Sequence, residues 1–271
     1  MDRPTQGQGK PVFLSLPHTF IPSGVLPFFT TRTGGRSRGD YESFNLGLHV
    51  GDEAAVVHEN RALLLEQLQP AARALCLLDQ VHGTRTVVAN PGSAIPEADA
   101  LVTRETGVAL GIMTADCAPV LLYDPVARVV GAAHAGWRGA LNGIVESCID
   151  AMESLGGDAR HMHAIIGPVI RPPHYEVDEQ FFLAFHNYHK LTGRVSNVEK
   201  FFLSLAINGR FQFNLANYIN ERLQERGVPQ EGIKDVQMCT FQNENLFFSY
   251  RRSTSSGNRA CGRQIGGIVL L

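Results

Sequence analysis

The sequence predicts an α+β fold, and three observations predict it. Apolar strand-like runs and amphipathic helical stretches occur in mixed order, without a regular βαβ rhythm. The middle of the chain alternates short apolar runs with turn signals, as a meandering sheet does. From Pro11 to Leu271 no low-complexity linker, charge block or repeat breaks the pattern. The expected organisation is a flexible tail over residues 1–11 and one domain over 12–271.

The elements follow in order. Val25–Arg32 is apolar and strand-like and ends in the turn Thr33-Gly34-Gly35. Asp52 can cap a helix reaching about Leu68, with Val56, Leu63, Leu64 and Leu68 on one face. Ala74–Val81, Val87–Ala89, Val108–Thr114, Val120–Tyr123 and Val129–Ala133 read as strands, with a tight turn at Asp124-Pro125. A helix after Gly139 carries Leu141, Ile144, Val145, Cys148, Met152 and Leu155 at helical spacing, and Gly156 can close it. His161–Ile166 reads as a strand and Asp178–His189 as a Phe-rich helix. Phe201–Ile207 and Arg210–Phe213 suit a hairpin across Asn208-Gly209. Asn214 caps a helix with Leu215, Tyr218, Ile219 and Leu223 on one side and Gly227 past its end. Val236–Met238, Phe247–Tyr250 and Gln264–Leu270 complete the strands.

Composition narrows the function classes. The 271 residues carry a formal charge of -2, from 24 basic and 26 acidic side chains, which gives no basic surface for nucleic acid or anionic membrane. Five cysteines, odd in number and without a CxxC pair, argue against a disulfide framework and for a reducing compartment. The polar start MDRPTQGQGK lacks the apolar core of a secretory signal, and no run approaches the roughly 20 apolar residues that span a bilayer. A cytoplasmic protein is expected.

Three segments interrupt apolar strands with unusual polar residues: Gln80-Val81-His82-Gly83, Thr114 to Pro119 around Asp116-Cys117, and His134-Ala135-Gly136-Trp137-Arg138-Gly139. Small neighbours at each let the backbone approach a ligand closely. Taken singly, either histidine reads as a packed or capping residue and Cys117 as an inert core thiol. Together, two imidazoles and a thiolate at equivalent strand ends match zinc's preference for nitrogen and sulfur and leave a fourth position open. The spacing is not that of a finger or ribbon, so the residues alone leave the metal and the packing readings both open.

Other histidines and cysteines read as structural. His161 and His163 share a strand face that reads as a metal pair or, preferably, as an exposed edge, and His186 and His189 flank a Phe-rich core face. Cys148 and Cys76 fit apolar stripes. Arg32 and Arg36 flank a Gly-Gly turn, Arg138 precedes a helix start, and Arg251-Arg252 follow an aromatic run. Each is either a surface charge or an anion contact, since guanidinium forks and free backbone N–H groups at such turns can converge on an anion.

These blocks resemble a family once described as multicopper polyphenol oxidases or laccase-domain proteins and now read as purine nucleoside phosphorylases. The resemblance spans about residues 12–271. It rests on QVHG at 80–83, ADCAPVLLYD at 115–124, HAGWRG at 134–139, IGP at 166–168, YEV at 175–177 and FFSYRR at 247–252. TRTGGRS at 31–37, FNLGLHVGD at 44–52 and ENR at 59–61 extend it. The resemblance implies a multilayer α/β sandwich of mixed sheets covered by helices. It also implies zinc held by His82, Cys117 and His134. The implied activity is phosphorolysis of adenosine, inosine and S-methyl-5'-thioadenosine, with adenosine deamination; some bacterial members are described as peptidoglycan editing factors. Asp116 then reads as a general acid or nucleoside contact. Arg32, Asn45, Trp137, Arg138 and Arg251 read as substrate or phosphate contacts. Two departures stand out: Asn214 replaces the usual Asp, which caps equally well, and the 253–263 stretch STSSGNRACGR is longer than usual.

Three other readings remain at this level. A His-Cys-His set with Met113 as a weak axial ligand is also the core of a blue-copper site, although a laccase needs further copper clusters that the sequence does not display. Cys117 with His82 or His134 could form a cysteine hydrolase, one route to editing peptidoglycan precursors. A non-enzymatic nucleoside-binding regulator is the third.

Overall fold

The computed structural model describes residues 10–194, 197–205 and 209–271. Its first half contains β1 (Val25–Phe29), α1 (Ala54–Leu68), β2 (Ala74–Cys76), β3 (Thr86–Val88), β4 (Ala100–Thr103), β5 (Val108–Thr114), β6 (Ala118–Asp124) and β7 (Val129–Ala135). There follow α2 (Trp137–Asn142), α3 (Ile144–Ser154), β8 (His163–Ile166), β9 (Glu176–Val177), α4 (Glu179–Thr192), β10 (Phe202–Leu205) and β11 (Arg210–Phe213). The chain ends with α5 (Leu215–Glu225), β12 (Ile233–Asp235), α6 (Tyr250–Ser255) and β13 (Gln264–Leu270).

Two mixed sheets lie face to face. One has the order β1-β13-β5-β2 and the other β12-β8-β6-β7-β4-β3. Strict alternation along the central strands explains the layering, because a strand buried on both faces sends successive side chains to opposite cores. Val108, Leu110 and Ile112 of β5 meet Leu121, Val130 and Ala132 of the larger sheet between the two layers. Ala109 and Met113 point the other way, toward Leu64 and Leu68 of α1. On the far side of the larger sheet, Val120, Leu122 and Ala133 pack against Ile144, Val145 and Cys148 of α3 and Ile219 and Leu223 of α5. A small sheet β10-β11-β9 and α4 add a Phe-rich cap, in which Phe181, Phe185 and Phe213 touch. The result is an α+β fold, as the sequence predicts, arranged as the multilayer mixed-sheet sandwich that the family resemblance implies.

Several local expectations change. Helix α1 begins at Ala54 after Glu53, which makes no side-chain cap bond. Asp52 instead accepts from Ser37 Oγ at 2.7 Å and Asn45 Nδ2 at 2.9 Å, and the buried face of α1 is Val57, Asn60, Leu64 and Leu68. The helix expected after Gly139 starts earlier, at Trp137, and breaks at Gly143, whose φ of 107° no helix tolerates. The expected strand Ala74–Val81 keeps a ladder only to Cys76. The expected strand Val236–Met238 is displaced to β12, because Asp235 Oδ1 accepts from Gln237 N at 2.9 Å and turns the chain, with Gln237 at a φ of 58°. Phe247–Tyr250 forms no strand: Ser249 Oγ accepts from Arg252 N at 3.2 Å and caps α6. Strand β4, which has no alternation to mark it, is a structural addition. The Asn214 and Asp124 signals act as expected, each side chain accepting backbone N–H bonds at its cap or turn, and Asp178, expected as the first helical residue, caps α4 instead. Residues 1–9 of the expected tail and Asn208 of the expected hairpin turn lie outside the described residues.

Candidate metal centre and its cavity

Three strand ends meet at one end of the sheets. The β6–β7 hairpin pairs Ala118 with Ala135 and Pro119 with His134, so Cys117, one residue before β6, is brought beside His134. His82 comes from the turn after β2. The ligand atoms of His82, Cys117 and His134 all lie within 4.8 Å of one another, with Cys117 Sγ 3.9 Å from His82 Nε2. A tetrahedral zinc site with ordinary bond lengths has ligand–ligand edges of roughly 3.3–3.6 Å, so a modest contraction closes this set on an ion. Among the described residues it is the one group of three or more such donors gathered in this way.

The turns that present these donors are unusual and firmly held. His82 and Asp116 adopt positive φ values of 61° and 93°, a costly conformation for side-chain-bearing residues that surrounding bonds must enforce. Asp99 does so for His82: its carboxylate accepts from His82 N at 3.0 Å, Gly83 N at 2.6 Å and Val81 N at 3.3 Å. Gln80 pins the same turn, donating to Met113 O and accepting from Met113 N, both at 2.8 Å. Gly136 is required by space, since a Cβ there would lie 2.9 Å from Cys117 Sγ and 3.1 Å from His82 Cδ2.

Asp99 also accepts from His134 Nδ1 at 2.8 Å, in a buried contact. A carboxylate only accepts, so Nδ1 carries a proton, and Nε2, which shares its own proton with Cys117, would offer its lone pair to a cation that displaced that proton. Burial alone would raise the Cys117 thiol, but neighbouring His134 and hydrogen bonds from both histidines bring it down to about 6. Burial alone would lower His134, yet Cys117 and Asp99 push it up to about 9. Burial likewise opposes ionisation of Asp99, and the bonds from His134, Gly83 and His82 outweigh it. The centre therefore favours a thiolate, which suits a bound cation.

A cavity of about 480 Å³ opens onto the three donors. Its wall includes Asp116, Trp137, Tyr175, Tyr250, Arg251, Arg263, His49 and Met113. Asp116 is nearly buried, and its carboxylate accepts from Thr240 Oγ1 and from Arg251 N, each at 2.6 Å. That fastens the start of α6 to the cavity. Arg251 lies over the Tyr175 ring and donates to Glu176 O at 2.9 Å. The Trp137 ring already has the Arg138 guanidinium 4.5 Å over its centroid and Phe181 at 4.7 Å, which narrows the stacking face it offers.

The expected site residues thus divide. His82, Cys117, His134, Asp116, Trp137 and Arg251 line the cavity, whereas Arg32, Asn45 and Arg138 do not. Arg32 lies over Phe248 in a separate depression, donating to Glu42 O and Glu244 O. Asn45 is fully buried and holds Asp52, Gly47 and Arg263. Met113 Sδ lies 3.7 Å from Arg61 Nη2. Sequence reading missed Asp99, His49, Tyr175 and Arg263. The only signal for Asp99 was an acid inside an otherwise small and apolar run, Ala98 to Val102.

Elsewhere, Cys148 is core, its thiol pushed up to about 12 by burial. His189 is buried against Tyr218, with Nε2 2.9 Å from the hydroxyl. No helix among the described residues is long and apolar enough to cross a membrane.

Residues 27–271 match the family model described as multi-copper polyphenol oxidoreductase laccase. The chain is 38% identical to a purine nucleoside phosphorylase of Pseudomonas aeruginosa, covering 88% of this chain and 93% of that one. It is also 38% identical to a purine nucleoside phosphorylase of Corynebacterium glutamicum, covering 87% and 92%. The crystal structure of a Neisseria meningitidis protein superposes with a TM-score of 0.82 at 33% identity, over 96% of this chain and 99% of that one.

Proposed function

The chain belongs to the multi-copper polyphenol oxidoreductase laccase family, and from that premise we propose that it is a zinc-dependent purine nucleoside phosphorylase. The observation that carries this reading is the 480 Å³ cavity in which a three-donor cluster, aromatic rings and arginines converge. That volume suits one nucleoside with a small anion. The names of the relatives from Pseudomonas aeruginosa and Corynebacterium glutamicum support it.

In phosphorolysis the C1′–N9 bond breaks, a phosphate oxygen bonds to C1′, and the purine leaves with a proton at its ring nitrogen. The substrates proposed are adenosine, inosine and S-methyl-5'-thioadenosine, with conversion of adenosine and water to inosine and ammonia as a side activity. Zinc held by His82, Cys117 and His134 would supply Lewis-acid polarisation. The chain's own residues do the rest. Tyr175, Tyr250 and the free edge of Trp137 pack the base and ribose and exclude water. Arg251, fixed through Asp116, offers positive charge, and Asp116 is the carboxyl within reach of a nucleoside hydroxyl or ring nitrogen. Product analysis with each nucleoside, with and without phosphate, tests the reading. It requires free base and a pentose 1-phosphate only when phosphate is present, and inosine from adenosine in either case.

One observation favours a second reading. Cys117, His134 and Asp99 stand in the order nucleophile, base and orienting carboxylate, as in a cysteine hydrolase. Stoichiometric alkylation of Cys117 in zinc-loaded protein would favour it, whereas protection by zinc favours the metal centre. Copper-dependent phenol oxidation lacks such support, because the described residues hold one donor cluster and multicopper chemistry needs several.

A further inference from the structure

Opposite in character to the thiolate centre, one corner of the cavity is built from an arginine and a histidine that form no ion pair among the described residues, the histidine being held below its usual range by burial and by the nearby Arg263 charge. Arg263 and His49 line it, and Arg61 stands behind Met113. Neither Arg263 nor Arg61 takes part in an ion pair among the described residues. Arg61 donates only to Leu46 O at 2.9 Å and reaches Met113 Sδ. Arg263 donates through Nη1 to Cys261 O at 2.7 Å and Gly262 O at 3.0 Å, which leaves Nε and Nη2 without acceptors among the described residues.

The surroundings hold Arg263 in place. Its backbone N donates to Asn45 Oδ1 at 2.9 Å, and its carbonyl accepts from Leu46 N at 3.0 Å. Its side-chain stem lies over Gly47, where an added Cβ would come within 2.8 Å of Arg263 Cγ. Asp52 is held by Ser37, Asn45 and Glu53 N and forms no ion pair with Arg263. The FNLGLHVGD and ENR blocks and the Gly262-Arg263 pair, far apart in the chain, thus converge on one fixed guanidinium. A partly buried arginine with free donors, held by two carbonyls and lying over the Tyr250 ring, is a receptor for a tetrahedral oxyanion.

We propose that Arg263 and His49, backed by Arg61 and positioned by Asn45 and Gly47, form the inorganic-phosphate subsite of this cavity, an assignment that rests on the phosphorylase reading. Phosphate then enters beside Met113 and Tyr250, and the nucleoside occupies the space toward Tyr175 and Trp137. Arg32, the sequence candidate, lies in a depression that also contains Asp40 and Glu244 and is the natural comparison.

Titration calorimetry of zinc-loaded protein with inorganic phosphate, at constant ionic strength, tests the subsite without turnover. Wild type should bind phosphate saturably. Arg263→Gln and His49→Gln should each weaken it roughly ten- to a hundredfold, and Arg32→Gln should stay within about twofold of wild type. Melting curves and zinc content verify that each variant is folded, and Arg61→Gln is a further probe should Arg263→Gln fail to fold. The half-saturating phosphate for base release should rise by the same factor. Phosphate binding that is lost in Arg263→Gln, without turnover of any purine nucleoside by wild type, keeps the subsite and sinks the phosphorylase reading. Turnover with unchanged phosphate dependence in the Arg263, His49 and Arg61 variants overturns the subsite alone. Arg263-dependent binding of adenosine 5′-monophosphate without binding of inorganic phosphate also overturns it, since the corner then serves a phosphate ester.

Discussion

Asp99 and His134 are joined twice: the His134 backbone N–H donates to the Asp99 carbonyl at 2.7 Å, and its Nδ1–H donates to the Asp99 carboxylate at 2.8 Å. The same carboxylate holds the backbone N–H groups of Val81, His82 and Gly83. One buried side chain therefore orients one imidazole directly and fixes the turn that carries the other.

Asp99→Ala should accordingly damage the centre without touching a donor. Loss of such an orienting partner typically costs 10- to 100-fold in metal affinity. Asp99→Asn should lie between wild type and Asp99→Ala, because an amide keeps one acceptor. Zinc competition against a chromophoric chelator measures both, and wild-type affinity in Asp99→Ala would refute the role.

Gly136 gives a steric test. Its φ of -70° is open to any residue, so Gly136→Ala strains no backbone, yet the new Cβ meets Cys117 Sγ and His82 Cδ2. Displacing reacting groups by about 1 Å can cost on the order of a hundredfold in rate. Turnover should fall by that order while the melting temperature changes little. A variant with full activity would show that the donors do not close as described.

Much of this was legible in the sequence. Unbroken apolar runs such as Val108–Thr114 and Val129–Ala133 announce themselves; Cys117 lies between the strands β5 and β6, and His134 lies near the end of β7, which runs to Ala135. What escaped depends on contacts between distant segments. Strand β4 is built from Ala100-Leu101-Val102-Thr103 without alternation because both its faces are buried, and Asp99 at its start gains meaning only from its neighbours β7 and the His82 turn. Arg32 looked suited to an anion because of its Gly-Gly turn, but tertiary packing lays it on Phe248 instead. Asn45 looked like a ligand contact and turns out to hold the backbone of Arg263.

The helical layer carries a buried ion cluster. Arg222 on α5 pairs with Glu146 on α3 and Glu225, and Glu146 Oε2 has no partner. Arg222→Met would leave Glu146 buried and uncompensated, at a cost of about 3–5 kcal/mol. Urea denaturation should show that loss with an unchanged slope. The double variant Arg222→Met with Glu146→Leu should recover much of it.

His189 makes stability depend on pH. Burial, followed by the charges of Arg222 and Arg194, lowers its pKa to about 4, and Nδ1 is buried without a partner. Tyr218 and Tyr188 complete its polar surroundings. Between pH 6.5 and 4 the unfolded chain holds a proton on this imidazole that the folded one rejects. The contribution is therefore complete above pH 6.5 and is lost as pH falls toward 4, amounting to about 2–4 kcal/mol. His189→Gln, which can keep the Tyr218 bond, should flatten the stability curve over that window relative to wild type. Parallel curves for the two proteins would remove His189 as the cause.

The most direct measurement is 31P nuclear magnetic resonance of zinc-loaded wild type and of Cys117→Ala, each incubated with inosine and phosphate. The account predicts a ribose 1-phosphate signal growing in step with hypoxanthine for wild type and absent for Cys117→Ala, whose melting curve stays close to wild type. Hypoxanthine released without the phosphate ester, or equal ester formation by both proteins, would contradict it.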